Sequence, residues 1–332
     1  MVFRSVSVEV HADVSTRDAW MPSRRVPWPD SKAFAFTIFD DPDSQTFAEG
    51  REVYACLRDL GFRTTKGVWP VRGSLPASDH GITCADDPRY VDWLLSLKEA
   101  GFEIGLHNVA PHTSTREETA RGLDAFADLF GHDPITLAQH YFCDENLYWG
   151  ENRVGGARRL VYNLVTRGRN RGRFNGHVPG SPLFWGDLCQ RRIRYVRNFV
   201  FGDINTLKAC PEMPYHDPAR PFVNLWYGAC EGANVRSACA TLSEARQERL
   251  ELEGGACILY THFGHGYMRT GKIDPRFRDL LSRLASRSGW FVPVAVLLDH
   301  LRDQRDPLVL DESGRRALEW RWLRHKVRYG TA

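Results

Sequence analysis

The stretch FAFTIFDDPDSQT, Phe34 to Thr46, decides how the rest of the chain is read. Apolar side chains climb through Phe34, Phe36, Ile38 and Phe39, then stop at Asp40, Asp41 and Asp43. A buried strand that ends in three carboxylates needs a partner to offset their mutual repulsion and their loss of water. That partner must come from elsewhere in the chain.

Working outward, QTFAEGREVYACLRDLGF carries Phe47, Tyr54, Leu57 and Leu60 at helical spacing and stops at Gly61. TTKGVWPV reads as a second strand, and DPRYVDWLLSLKEAG as a helix with Pro88 at its start and Gly101 beyond its end. FEIGLH is a third strand. STREETARGLDAFADLFG is a third helix, with Ser114 and Glu117 in a capping-box pattern and Leu123, Phe126 and Phe130 on its apolar face. PITLAQ is a fourth strand. Such regular alternation predicts parallel strands with right-handed crossovers.

Residues 144–220 are less regular, rich in Gly, Pro, Asn and Arg, with one clear strand, IRYVRNFVF, from Ile193 to Phe201. Alternation resumes through PFVNLWY, SEARQERLELEGG, ACILYTHFGHGY, PRFRDLLSRLASRSG and WFVPVAVLLDHL. The tail LVLDESGRRALEWRWL reads as a terminal hairpin turning at Ser313 and Gly314. The expectation is one α/β barrel: residues 1–32 an extension packed on it, 33–303 the barrel with an insertion at about 144–220, and 304–332 a tail. In such barrels the chemistry sits at the C-terminal ends of the strands.

Composition bounds the function. With 332 residues, 42% hydrophobic and 26% charged, the chain is an ordinary globular one, and no apolar run is long enough to cross a membrane. Arg4, Glu9, His11 and Asp13 interrupt any signal-peptide core, so a cytoplasmic location is expected. The eight cysteines lack a Cys-x-x-Cys pair and read as reduced thiols. A net charge of +3 gives no case for nucleic acid. One local feature stands apart, TRGRNRGRFNG, with Arg167, Arg169, Arg171 and Arg173: a solvated surface loop, or a clamp for a phosphate-bearing substrate.

Polar groups gather at the strand ends. The first strand ends at Asp40 and Asp41, the third at His107 with His112 five residues on, and the fourth at Gln139 and His140. The strand ACILY leads to His262, with His265 beyond. Carboxylate and imidazole groups from separate strands suit one divalent ion, zinc first and cobalt, nickel or manganese after it. Taken singly, Asp43 also reads as a cap for the helix beginning near Gln45.

These motifs resemble the polysaccharide deacetylase family. FTIFDD is similar to its Thr-Phe-Asp-Asp motif, EIGLHNVAPHTS to its metal-histidine motif, ACILYTHFGHGY to its late strand ending in a catalytic histidine, and WFVPVAVLLDHL to its closing strand and helix. The likeness runs from about Ala33 to Leu301. It implies a distorted (β/α)7 barrel and a metal-dependent hydrolase that removes an acyl group, N-acetyl first, from a sugar or glycan precursor. It implies Asp40 as general base, Asp41, His107 and His112 as metal ligands, and His262 as the acid. The chain departs from the family in the five-residue step from His107 to His112, with Pro111 between, and in LAQHYF standing where an Arg-x-Pro-Tyr segment belongs. His140 and His265 are the substitute ligands, Gln139 or His140 a support for Asp40, the Tyr141 N–H an oxyanion donor, and Trp185 and Asp187 further substrate contacts. Two alternatives stand beside this reading. One is a non-hydrolytic glycan-binding protein using Trp149, Trp185, Trp226 and Tyr227; the other is an amidase or deformylase acting on a non-polymer amide.

Overall fold

The computed structural model describes residues 26–77, 80–305 and 308–331. Most of the expected extension at 1–32 therefore lies outside the described residues. The strands are β1 (Phe34–Asp40), β2 (Thr65–Val68), β3 (Glu103–Leu106), β4 (Thr136–Leu137), β5 (Tyr195–Phe201), β6 (Tyr215–His216), β7 (Leu225–Cys230), β8 (Ala256–Thr261), β9 (Met268–Arg269), β10 (Lys272–Ile273), β11 (Gly289–Phe291) and β12 (Leu308–Val309). Between them run α1 (Phe47–Asp59), α2 (Pro88–Glu99), α3 (Arg116–Phe130), α4 (Ala157–Val165), α5 (Gly186–Arg192), α6 (Thr206–Ala209), α7 (Val235–Thr241), α8 (Glu244–Glu253), α9 (Pro275–Ala285) and α10 (Val294–Gln304), with α11 (Glu312–Tyr329) closing the chain.

Strands β1, β2, β3, β4, β5, β7 and β8 pair in parallel, and β8 returns to β1. Seven strands thus close a distorted (β/α)7 barrel, with β11 pairing alongside the start of β1. Burial of β1 along its whole length explains its near-continuous apolar run, the pattern of a strand covered on both faces. No helix among the described residues is long and apolar enough to cross a membrane.

Local sequence accounts for the helix starts. Thr46 caps α1 in a reciprocal box with Glu49, which leaves the Asp43 side chain free for other work. The box on α3 is formed by Thr115 and Glu118, one residue later than the Ser114 and Glu117 pattern suggests. Ser114 is buried and spends its N–H on Glu145 and its hydroxyl on the His112 carbonyl, so the cap passes to its neighbour.

The tail corrects the hairpin expectation. Asp311 accepts from the Gly314 N–H at 2.7 Å and caps α11, so Ser313 and Gly314 sit in a first helical turn. Leu318, Glu319, Trp322 and Leu323 are buried at the three- and four-residue spacing of a helix face. Trp322 stacks between Phe199 of β5 and Tyr162 of α4, at ring separations of 4.7 and 5.7 Å. Buried Glu319 accepts from the Gly155 N–H, Arg158 and Arg220, which fastens the closing helix to the insertion.

Candidate active site

The three carboxylates at the end of β1 and just beyond it meet three different environments. Asp40 is buried with Lys66 of β2, the ammonium 3.0 Å from its Oδ2. The same oxygen accepts from Gln45 at 3.1 Å and Tyr54 at 3.3 Å, while Oδ1 accepts from the Phe263 N–H at 2.9 Å. Burial raises its pKa, against the opposing pull of Lys66 and those hydrogen bonds. Asp41, next along, receives a two-pronged contact from Arg197 of β5, at 3.0 and 2.5 Å. Burial acts to lower the Arg197 pKa, but the Asp41 carboxylate outweighs it and the net shift is upward. The guanidinium also lies 4.3 Å from the Tyr260 ring centroid.

Asp43 faces the histidines. Its Oδ1 lies 3.2 Å from Nε2 of His107 and 3.2 Å from Nδ1 of His140, and those two nitrogens are themselves 3.2 Å apart. Its Oδ2 is 3.1 Å from Nε2 of His262. Burial acts to raise the Asp43 pKa, yet the three imidazoles hold it well below the usual carboxylate range. For His262 the balance is similar: burial acts to lower its pKa, but Asp43 and Asp41 lift it to about 9. The His262 Nδ1 is turned to the Ala233 carbonyl at 2.7 Å, which aims Nε2 at the cluster.

Asp43, His107 and His140 form a buried donor set suited to a metal ion. Three donor atoms about 3.2 Å from one another match the edge of a tetrahedron around an ion bonded at roughly 2.0 Å. Two ring nitrogens and one carboxylate oxygen thus converge on a single point, a geometry that a cation fits. The second nitrogen of His107 lies 3.6 Å from Asp41 Oδ1 and has no hydrogen-bond partner among the described residues. His140 is placed by its own N–H, which donates to the Asn108 side chain at 2.7 Å. Asn108 in turn donates to Glu145 and Asn146 at 2.7 and 2.9 Å. It adopts a left-handed φ of 51°, a conformation Asn tolerates better than most residues.

Other expected residues fall outside this cluster. The ring nitrogens of His112 are occupied by the Leu75 N–H and the Thr113 carbonyl, because the extended path through Pro111 carries the ring away from His107. His265 packs its ring against His262 and contacts Ser44 Oγ at 3.3 Å. Gln139 spends both ends of its amide on the Leu147 backbone, so neither it nor His140 supports Asp40. Trp185 donates to the Glu145 carbonyl, and Asp187 pairs with Arg116 and Arg191. Trp226 and Tyr227 are buried in the core.

A cavity of about 400 Å³ opens over the cluster, lined by Asp41, Asp43, His107, Tyr260 and His262 at its polar end. Trp149, Tyr141, Arg153, Arg167, Arg169 and Lys326 also face it. Asp40, His112, Trp185 and Asp187 are not among its lining residues. Sequence reasoning did not reach Arg197, Arg153 or Lys326. For the first, the available signal is an arginine in the middle of an otherwise buried strand, YVRNFVF.

Comparison with solved structures agrees with this architecture. A protein from Mycobacterium smegmatis, provisionally described as a polysaccharide deacetylase, superposes at a TM-score of 0.51 with 14% identity, over 88% of this chain and 98% of its own. The chain has the polysaccharide-deacetylase fold. Looser likenesses to this divergent deacetylase-fold protein are PuuE allantoinase, at a TM-score of 0.49 and 12% identity over 85% of this chain and 94% of that one, and peptidoglycan deacetylase PdaC from Bacillus subtilis, at 0.40 and 12% over 83% and 94%. No sequence-family model and no curated protein matches the chain.

Proposed function

We propose that this protein is a metal-dependent hydrolase that removes an acyl group, N-acetyl first, from a sugar or glycan precursor. The observation that carries the reading is the meeting of Asp43, His107 and His140, donor atoms 3.2 Å apart, beside a cavity that Asp43 and His107 line together with an Arg-held Asp41 and a raised-pKa His262. A divalent ion held by Asp43, His107 and His140 supplies Lewis acidity to the acyl carbonyl and the attacking water.

The remaining work falls to this chain's own groups. Asp41 accepts the water proton, with Arg197 orienting its carboxylate. His262 carries a proton at neutral pH and delivers it from Nε2 to the departing nitrogen. Relative to the resemblance, the roles move along the chain: the base from Asp40 to Asp41, the carboxylate ligand from Asp41 to Asp43, and the second histidine from His112 to His140. Asp40 is ill placed as a base, since it does not line the cavity, whereas Asp41 does. The Tyr141 N–H, next to His140, is the proposed oxyanion donor.

The glycan-binding alternative needs exposed aromatic faces. Trp149 is the cavity's tryptophan, and the Arg153 guanidinium already covers its ring at 3.2 Å from the centroid.

The test is acetate release from N-acetylated amino sugars by the zinc-loaded protein, with Asp41→Asn alongside. Turnover that falls about 10²- to 10⁴-fold in the variant supports the scheme. A loaded wild-type protein that deacylates no amino sugar, acetyl ester or formyl amide in the panel overturns it.

A further inference from the structure

The charges around the cavity do not balance. Its carboxylates are Asp41, already paired with Arg197, and Asp43, already surrounded by histidines. Facing them are four more cationic groups: Arg153, Arg167, Arg169 and Lys326. Arg153 is the decisive one. Its side chain is 3% exposed, its Nε and one terminal nitrogen have no hydrogen-bond partner, and no carboxylate pairs with it among the described residues. Two ring faces neighbour its guanidinium, Trp149 at 3.2 Å and Trp322 at 5.4 Å from the guanidinium carbon. A buried charge without a counter-charge costs stability, and chains usually keep one where function repays it.

Lys326 stands at the same wall, carried there by α11. Its ammonium donates to the Thr331 carbonyl at 2.7 Å and lies over Trp322. Burial and the nearby Arg153 lower its pKa to about 8, and burial lowers that of Arg153 to about 9. Both are charged groups that burial penalises, and a bound anion would offset that penalty. Two members of the arginine-rich loop are committed elsewhere: Arg173 pairs with Asp144, and the field of Arg171 falls on Glu151. Arg167 and Arg169 remain for the cavity.

We propose that Arg153 and Lys326, with Arg167 and Arg169 at the rim, form an anion subsite in the reaction cavity that takes a phosphoryl group of the substrate. A phosphate ester carries about −1.5 to −2 charge at neutral pH and several acceptor oxygens, which suits three guanidinium forks and an ammonium better than a single carboxylate does. The proposal rests on the hydrolase reading for the word substrate, but not for the subsite itself. A phosphorylated sugar and a diphosphate-linked one share this chemistry, and the experiment separates them.

The test is calorimetric titration of the full chain, as purified and after chelation of metal, with inorganic phosphate, pyrophosphate, N-acetylglucosamine 1-phosphate and acetate at constant ionic strength. Phosphate or the sugar phosphate binding tighter than acetate, and about 10- to 100-fold weaker in Arg153→Met, is the expected result. Preference for pyrophosphate over both assigns a diphosphate-linked substrate; the reverse assigns a monoester. In thermal melts without anion, Arg153→Met should match or exceed the wild type, because a merely structural arginine would lower the midpoint. Lys326→Met provides the same binding readout if the first variant does not fold. Phosphate affinity unchanged in both variants, or acetate bound as tightly as phosphate, overturns the subsite. Phosphate binding through Arg153 in a protein that hydrolyses no acyl group leaves the subsite standing and removes the hydrolase reading; hydrolysis with phosphate affinity indifferent to Arg153 does the opposite.

Discussion

Asp40 and Asp43 lie three residues apart at the end of one strand and are both buried, yet their pKa values move in opposite directions. Asp40 meets a single ammonium and three neutral donors, and burial wins. Asp43 meets three imidazoles, which outweigh burial. A third buried carboxylate, Glu145, has amide and backbone donors but no cation, and burial pushes its pKa up to about 7. The difference teaches that burial alone does not tell a structural carboxylate from a reactive one. What separates them is whether the carboxylate is already satisfied by its neighbours, as at Asp40, or keeps an unsatisfied oxygen beside a cavity, as at Asp43.

The largest effect tests the sealed side. Asp40→Asn should cost about 3–5 kcal/mol of folding free energy in denaturant titration, because it strands the Lys66 ammonium in the core. Metal content should be unchanged. A stable Asp40→Asn protein that has lost its activity would return the base to Asp40 and erase the comparison.

On the open side, Asp41→Asn should lower turnover by about 10²- to 10⁴-fold while keeping metal. Asp43→Ala should weaken zinc affinity by about 10²- to 10³-fold, one ligand's share of a site worth roughly 10–16 kcal/mol. Competition with a chelator measures it, and full retention of zinc would move the metal elsewhere.

Glu145 supplies the pH test. Its pKa of about 7 lies above the ordinary value of 4.5, so the folded protein binds a proton that the unfolded chain releases. That stabilisation is complete below pH 4.5 and is lost as pH rises toward 7, by up to about 3 kcal/mol. Glu145→Gln should flatten this decline when stability is compared with wild type between pH 5 and 8. Parallel curves would show that Glu145 is ionised throughout.

The smallest effect is a contrast between histidines. His112→Ala should leave zinc affinity within about twofold, since both ring nitrogens serve the backbone, whereas His140→Ala should weaken it about as much as Asp43→Ala. Equal losses would place His112 in the site after all.

How much was legible follows from the range of each interaction. The barrel and its strand ends could be read because strand burial and helix periodicity are local, written in runs such as Phe34 to Asp40 and Leu123 to Phe130. His107, His140 and His262 could be located for the same reason, as polar residues closing apolar runs. Which carboxylate serves which partner could not be read. Asp40, Asp41 and Asp43 are equivalent as letters, and only the closure of the barrel brings Lys66 to one, Arg197 to the next and three histidines to the last.

The tail makes the same point at larger scale. Alternation around Ser313 and Gly314 suggested a hairpin, but the tertiary structure supplies Phe199 and Tyr162 as a surface that Trp322 can cover only from a helix. That choice carries Lys326 to the cavity wall, 129 positions along the chain from Arg197 by residue number. By itself the sequence determined the alternating elements of the barrel and the inventory of polar groups, because these depend on neighbours within a turn or a strand; it did not determine the closing helix. Only the tertiary structure decided the pairing of charges, because Coulomb energy and desolvation depend on distances that folding sets.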